Sequence, residues 1–129
     1  MARKNIFSTS PFEEQLGFSR AVRVGNHIYV SGTAPIAADG STACPGDAYG
    51  QARRCLEIIQ SVLENSGGLM SDVIRTRTYI TEASVWRDVG QAHSEFFADV
   101  RPVSTMVVVS GLVRDDWMVE IEAEAIVEE

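Results

Sequence analysis

Apolar and polar positions change period several times along this chain, and each change predicts an element. Two β-type runs, Ala21–Val24 and His27–Ser31, flank Gly25-Asn26, a pair that tolerates positive φ and predicts a two-residue hairpin turn. Ser31-Gly32 ends the second run. The next stretch, Ala34–Pro45, is rich in Ala, Pro, Gly, Asp and Ser and is expected to be an exposed, mobile connection. From about Asp47 to Asn65 the apolar positions Tyr49, Ala52, Leu56, Ile59 and Leu63, joined by Cys55, Ile58 and Val62, form a broad helical stripe, stopped by Gly67-Gly68. Alternation returns over Asp72–Ile80, where Val73, Arg75, Arg77 and Tyr79 interleave with Ile74, Thr76, Thr78 and Ile80. Ser84 is read as the N-cap of a second helix reaching about Asp99, with Val85, Val89, His93, Phe96 and Phe97 along one side. Pro102 ends that pattern. Ser104–Ser110 and Trp117–Val127, joined through Arg114-Asp115-Asp116, are two further strands expected to close the sheet.

The order is therefore β-β-α-β-α-β-β, with room for a short extra strand near Arg3–Phe7. It predicts an α+β domain with two helices on one face of a mixed sheet. The other face must be solvated or meet another copy of the chain. Val107, Val108 and Val109 in succession make their strand apolar on both faces, which predicts a homo-oligomer packed sheet against sheet.

Composition narrows the function classes. A chain of 129 residues with 45% hydrophobic content reads as one domain over residues 1–129, large enough to hold a core without cross-links. Eleven Lys and Arg against eighteen Asp and Glu give a net charge of −7, which argues against a nucleic-acid surface. No apolar run has membrane length and Met1–Ser10 has no leader pattern, so a cytoplasmic protein without membrane contact is expected. The two cysteines, Cys44 and Cys55, are not a Cys-x-x-Cys pair, and His27 and His93 lie far apart, so neither a disulfide framework nor a metal site is expected. His93 reads as a core histidine and Cys55 as a small buried apolar residue. Phosphate-loop, nucleophile-elbow and zinc-protease motifs are absent.

Three segments carry a family likeness: Val24-Gly25-Asn26-His27-Ile28-Tyr29-Val30-Ser31-Gly32, Arg101-Pro102-Val103-Ser104-Thr105-Met106, and Val119-Glu120-Ile121-Glu122-Ala123. With the Gly67-Gly68 helix stop they span nearly the whole chain, and together they resemble the RidA/YjgF family. The resemblance implies a chorismate-mutase-like fold, a homotrimer, and small-molecule clefts between adjacent subunits. It also implies cofactor-free hydrolysis of reactive enamines and imines to 2-keto acids and ammonia. The family's older labels, ribonuclease and translation inhibitor, find nothing basic to rest on here.

The chain departs from the family at its anchor. The family motif P-x-R supplies a guanidinium that can bind a substrate carboxylate with two hydrogen bonds; here Pro102-Val103 is followed by Ser104. A cysteine two residues further on in many members corresponds to Met106. The asparagine and tyrosine of deaminating members correspond to Gly90 and Phe18. Ser31 and Gly32 match the family's strand end, and Glu122 is taken as its last-strand glutamate, the group expected to handle the attacking water. The bland alternative for Glu122 is cross-strand pairing with Arg75 or Arg77. Arg101 and Arg114 are the candidate substitutes for the lost arginine.

Two functional readings follow. One is a hydrolase of an imine, enamine or related metabolite other than a generic 2-imino acid, with Glu122 on water and Ser104 on substrate. The other is a non-catalytic trimer that binds a small metabolite between subunits.

Overall fold

The computed structural model describes residues 2–128; Met1 and Glu129 lie outside the described residues. The elements run β1 (Arg3–Ile6), α1 (Pro11–Leu16), β2 (Ala21–Val24), β3 (His27–Thr33), α2 (Ala48–Asn65), β4 (Val73–Ile80), α3 (Trp86–Phe97), β5 (Val103–Val108) and β6 (Val119–Ile126). All six strands join one sheet in the order β1-β2-β3-β6-β4-β5, antiparallel except for the β4–β5 pair. The fold is the expected mixed α+β arrangement.

The β2–β3 hairpin turns on Gly25, whose φ of 61° suits a residue without a β-carbon. α2 starts at Asp47, whose carboxylate accepts from the Gly50 amide, and it buries Ala52, Cys55, Leu56, Ile59, Val62 and Leu63. These pack on Ile28, Val30, Ile80, Val119, Ile121, Ala123 and Ala125, the inward residues of three strands, in one continuous core. The opposite face is open. It carries Tyr29, Arg75, Arg77, Tyr79, Glu120, Glu122 and Glu124, and β5 adds Val103, Thr105 and Val107 by its register with β4. Val103, Val107 and Val108 are 60%, 42% and 55% exposed, so the edge strand is left apolar and uncovered.

The last two strands join the sheet at separate places: β6 lies between β3 and β4, where both sides of its backbone are paired, and β5 takes the edge beside β4. Three expectations need correction. A third helix, α1, was not foreseen. Six residues are too few to show a period, although Ser10 caps it, Pro11 opens it and Gly17 closes it at a φ of 76°. Ser84 does not cap α3; it lies in a 3-10 turn over Ala83–Val85, its hydroxyl bonds Glu82, and Val85 precedes the helix. The connection 34–45 is not wholly exposed: Ala34 and Ile36 are buried with Trp117 in a second small cluster, flanked by Phe12 and Leu112.

Cys55 is fully buried against α2's sheet partner and burial pushes its thiol well above the ordinary range, whereas Cys44 is exposed. Titration of the native protein with a thiol-reactive chromophore is therefore expected to modify Cys44 alone, with Cys55 reacting only after denaturant is added; fast reaction of both would contradict this packing.

Candidate functional site

The sequence-predicted residues fall into two separate groups on the sheet. The first surrounds the end of β3. Its register with β6 slips between Val30 and Thr33, so Ser31 and Gly32 bulge out of the ladder. Arg20 holds the bulge: its Nη1 donates to the Gly32 carbonyl at 2.6 Å and to Thr33 Oγ1 at 3.2 Å, and its Nε donates to Glu13 Oε2 at 3.0 Å. Glu13 also accepts from the Ser8 amide and the Ser8 hydroxyl. Both partners of this ion pair are about 95% buried, at 5% and 4% side-chain exposure, so α1 is tied to the strand end by a charge pair taken out of water.

Glu120 lies directly against Gly32. A β-carbon there would overlap the Glu120 carboxylate and push it aside, so the glycine lets it approach this closely. Glu120 and Gly32 share a cavity of about 210 Å³ with Phe12, Leu16, Phe18, Arg20 and Trp117 among its walls. Burial raises the Glu120 carboxyl above the usual carboxylate range; the Arg20 charge opposes this and Glu122 adds to it. Phe18 also stacks under the Arg20 guanidinium at 5.3 Å.

Glu122 is placed differently. Its Oε1 accepts from Arg77 Nη1 at 3.3 Å and from the Tyr79 hydroxyl at 2.9 Å, and Arg77 also reaches Glu124 at 3.2 Å. This is the cross-strand pairing, with Arg77 as the arginine concerned. Glu122 lines a shallow depression of about 250 Å³ on the open face that also includes Ser31, Arg75 and Arg77. The Ser31 hydroxyl itself donates to the Ser19 carbonyl at 2.7 Å.

The second group lies along β4, β5 and α3. Ser104 is exposed on the edge strand and its Oγ accepts from Thr76 Oγ1 at 2.9 Å. Thr76 Oγ1 is in turn 2.8 Å from His93 Nε2. Met106 packs partly into the core, and Gly90 on α3 has open space where a side chain would project. Arg101 follows α3 in the left-handed region at a φ of 54°, unusual for a residue with a β-carbon, and lines a groove with His93, Ser94, Phe97, Ala98 and Pro102. Arg114 belongs to neither group: its Nη1 donates to the Gly40 carbonyl at 2.9 Å, and its guanidinium stacks on Phe12 and Trp117. Arg114 thus holds the 34–45 connection against the Phe12 and Trp117 rings.

Among the described residues no cluster of three or more His, Cys, Asp and Glu side chains could hold a metal, and no helix is long and apolar enough to cross a membrane. Also among these residues, the larger cavities are lined by one group of site residues or the other, never by both.

The family model described as endoribonuclease L-PSP matches residues 9–127. The chain belongs to this family, the YjgF/RidA family. A 3-aminoacrylate deaminase, RutC, of Acinetobacter baylyi is 34% identical over 105 residues, covering 81% of this chain and 82% of the relative. An uncharacterised protein of Streptomyces coelicolor is 36% identical over 124 residues, covering 96% and 92%. The crystal structure of a YjgF/YER057c/UK114 family member from Mycobacterium tuberculosis superposes with a TM-score of 0.87 at 40% identity, covering 98% of this chain and 100% of that one.

Within this YjgF/RidA domain, sequence reasoning passed over Glu120, Arg20 and Thr76. The two-residue period of β6 puts Glu120 and Glu122 on one face and cannot say which of them meets Gly32; the β3 bulge decides that. Arg20 carried a signal only in retrospect, as an arginine with a glutamate seven residues before it across a Gly-containing turn.

Proposed function

We propose that this protein is a cofactor-independent hydrolase of a small enamine or imine acid, acting in clefts between copies of the chain in a homotrimer. One observation carries the catalytic part: the Glu120 carboxylate sits in an aromatic-walled cavity against Gly32 with burial raising its proton affinity. A carboxyl group whose affinity is raised toward neutrality can both take and return a proton. The protonated Glu120 carboxyl gives its proton to the enamine carbon, which leaves an iminium ion and a Glu120 carboxylate. Glu120 then accepts a proton from water as its oxygen bonds to the iminium carbon. Glu120 passes that proton to nitrogen, the C–N bond breaks as ammonia leaves, and the hydroxyl proton goes back to the Glu120 carboxylate, so that a carbonyl remains and the carboxyl group is restored. The water-handling role is assigned to Glu120 in preference to Glu122, whose Oε1 already has two donors.

The inter-subunit part rests on the separation of the two residue groups and on the apolar β5 edge. Phe18, Gly32 and Glu120 supply one wall, and Ser104, Arg101 and Gly90 of a neighbouring copy supply the other. The name of the 34% identical relative, a 3-aminoacrylate deaminase, supports an enamine carboxylate as substrate class. Ser104 favours a second reading, a non-catalytic trimer that binds a metabolite, because a hydroxyl cannot form a two-pronged charged contact.

Ammonia release from freshly generated 3-aminoacrylate and 2-iminopropanoate separates the two readings. Turnover above the blank by the unmodified protein is expected; none on either compound, with the oligomer intact, would leave the binding reading. A Ser104→Arg variant is expected to lower KM for these acids by about ten- to a hundredfold, the value of one charge-assisted contact. An unchanged KM would place Ser104 outside the cleft.

A further inference from the structure

Ser104 does not stand alone at the β5 edge. Ser104 Oγ, Thr76 Oγ1 and His93 Nε2 form one hydrogen-bonded row, with separations of 2.9 Å and 2.8 Å, built from β5, β4 and α3. Thr76 is fully buried and has one hydroxyl proton, so it must donate to one neighbour and accept from the other. His93 sets the direction. An imidazolium, or a neutral ring with its proton on Nε2, donates to Thr76; Thr76 donates to Ser104; and the Ser104 proton is left to point outward. A neutral ring with its proton on Nδ1 accepts from Thr76, which then accepts from Ser104, and Ser104 presents only lone pairs.

The surroundings leave this choice to His93 itself. Its Nε2 meets the Thr76 hydroxyl, which leads on to Ser104, and the Phe97 ring lies 4.7 Å away. Arg75 and Arg77 of β4 are on the opposite sheet face. On α2, Tyr49 and Arg53 are bound to Glu95, two residues along α3 and turned away, and Cys55 faces the Val119 carbonyl. Asp72, in the turn before β4, accepts from the Leu69 amide, and Asp99 is exposed in the loop after α3. Arg101 is the one charged residue lining the same groove, whose volume is about 440 Å³. Burial pulls the His93 imidazole below its ordinary range, and an anion bound beside it would oppose that shift.

We propose that His93 is the specificity switch of the cleft: its protonation, relayed through Thr76, removes the neutral tautomer that makes Ser104 an acceptor, fixes Ser104 as a hydrogen-bond donor beside a positive charge, and makes the groove beside Arg101 a receptor for the carboxylate of a 2-oxo or 2-imino acid. This deepens the small-acid reading given above and rests on it for the ligand class. His93 and Thr76 are positioning residues, since they act through Ser104. The row replaces a fixed charge with a conditional one.

The sign follows from linkage. A carboxylate that binds the protonated form raises the His93 pKa in the complex. Tight binding is then present below the pKa of the free protein and lost as pH rises through the raised value, by about tenfold in Kd per pH unit. The test follows the His93 imidazole resonances by NMR from about pH 5 to about pH 8, with and without pyruvate, and measures the pyruvate Kd over the same range. Pyruvate is expected to raise the His93 pKa in the wild-type protein and in Thr76→Ser, and to leave it unmoved in Thr76→Val. Should Thr76→Val fail to fold, His93→Gln is expected to bind pyruvate with a Kd independent of pH. A wild-type Kd that is flat with pH, no saturable pyruvate binding at either end of the range, or full linkage surviving in Thr76→Val would overturn the proposal. Ammonia release without linkage would sink the relay alone. Linkage without ammonia release would sink the hydrolase reading and leave the relay standing.

Discussion

Glu120→Gln is expected to lower kcat for ammonia release by about 10²- to 10⁴-fold, the range for loss of a general acid–base group, while Glu122→Gln stays within a few-fold of wild type. The two glutamates are one strand period apart and share a face, so their difference is entirely local. Glu120 is pressed against Gly32 in a cavity walled by Phe12, Phe18 and Trp117, and burial favours its protonated form. Glu122 is held by Arg77 and Tyr79 in a half-exposed row and works as a sheet contact. Both variants keep the volume of the side chain, so the oligomer should assemble normally in each. Equal losses at both positions would mean that the open-face carboxylates act as a unit, and a silent Glu120→Gln would remove the catalytic assignment.

Glu13→Ala is expected to destabilise the fold by about 3–5 kcal/mol, because it leaves the Arg20 guanidinium buried without its partner. The pair is nearly solvent-free and links α1 to the Ser31-Gly32 bulge through the Gly32 carbonyl. Denaturant unfolding followed by tryptophan fluorescence measures the loss, with Trp117 beside this junction as one reporter. Replacing both partners, Glu13→Leu with Arg20→Met, should recover most of the stability, since apolar pairs of similar volume avoid the desolvation cost. The double variant should nevertheless lose turnover, because nothing then pins the Gly32 carbonyl and the Glu120 cavity loses its polar wall. A loss below about 1 kcal/mol in Glu13→Ala would show that water reaches Arg20 in solution and that the pair behaves as a surface contact.

The sequence made the larger elements legible because their periods are long. The α2 stripe, the β2–β3 turn at Gly25 and the alternation of β4 and β6 are local patterns that run over enough residues to be distinctive. Strand order was not local. Placing β6 between β3 and β4 depends on non-neighbouring contacts that no short window contains, and so no strand order could be read. The small helix α1 and the burial of Ala34 and Ile36 under Trp117 failed for the related reason that few residues carry each signal.

At the site, the family motifs located the right stretches of chain but not the side chains that face each other. Ser31, Gly32 and Phe18 do cluster, yet the carboxylate nearest Gly32 is Glu120, since the bulge after Val30 shifts the register there. Ser104 was singled out for the charge it lacks. Its connection through Thr76 to His93, read from sequence as a core residue, needs three elements in register and shows only in three dimensions.

The central claim is that a working site draws Glu120 from one copy and Ser104 from the next. Subunit complementation tests it directly. Glu120→Gln and Ser104→Trp chains, each inactive as homo-oligomers, are coexpressed with different tags and mixed oligomers are isolated through both tags. In a closed ring of three with both variants present, one interface joins an intact Glu120 to an intact Ser104, so about a third of wild-type activity should return. Mixed oligomers as inactive as either parent would contradict the account, because they would mean that both residues serve a site within a single chain.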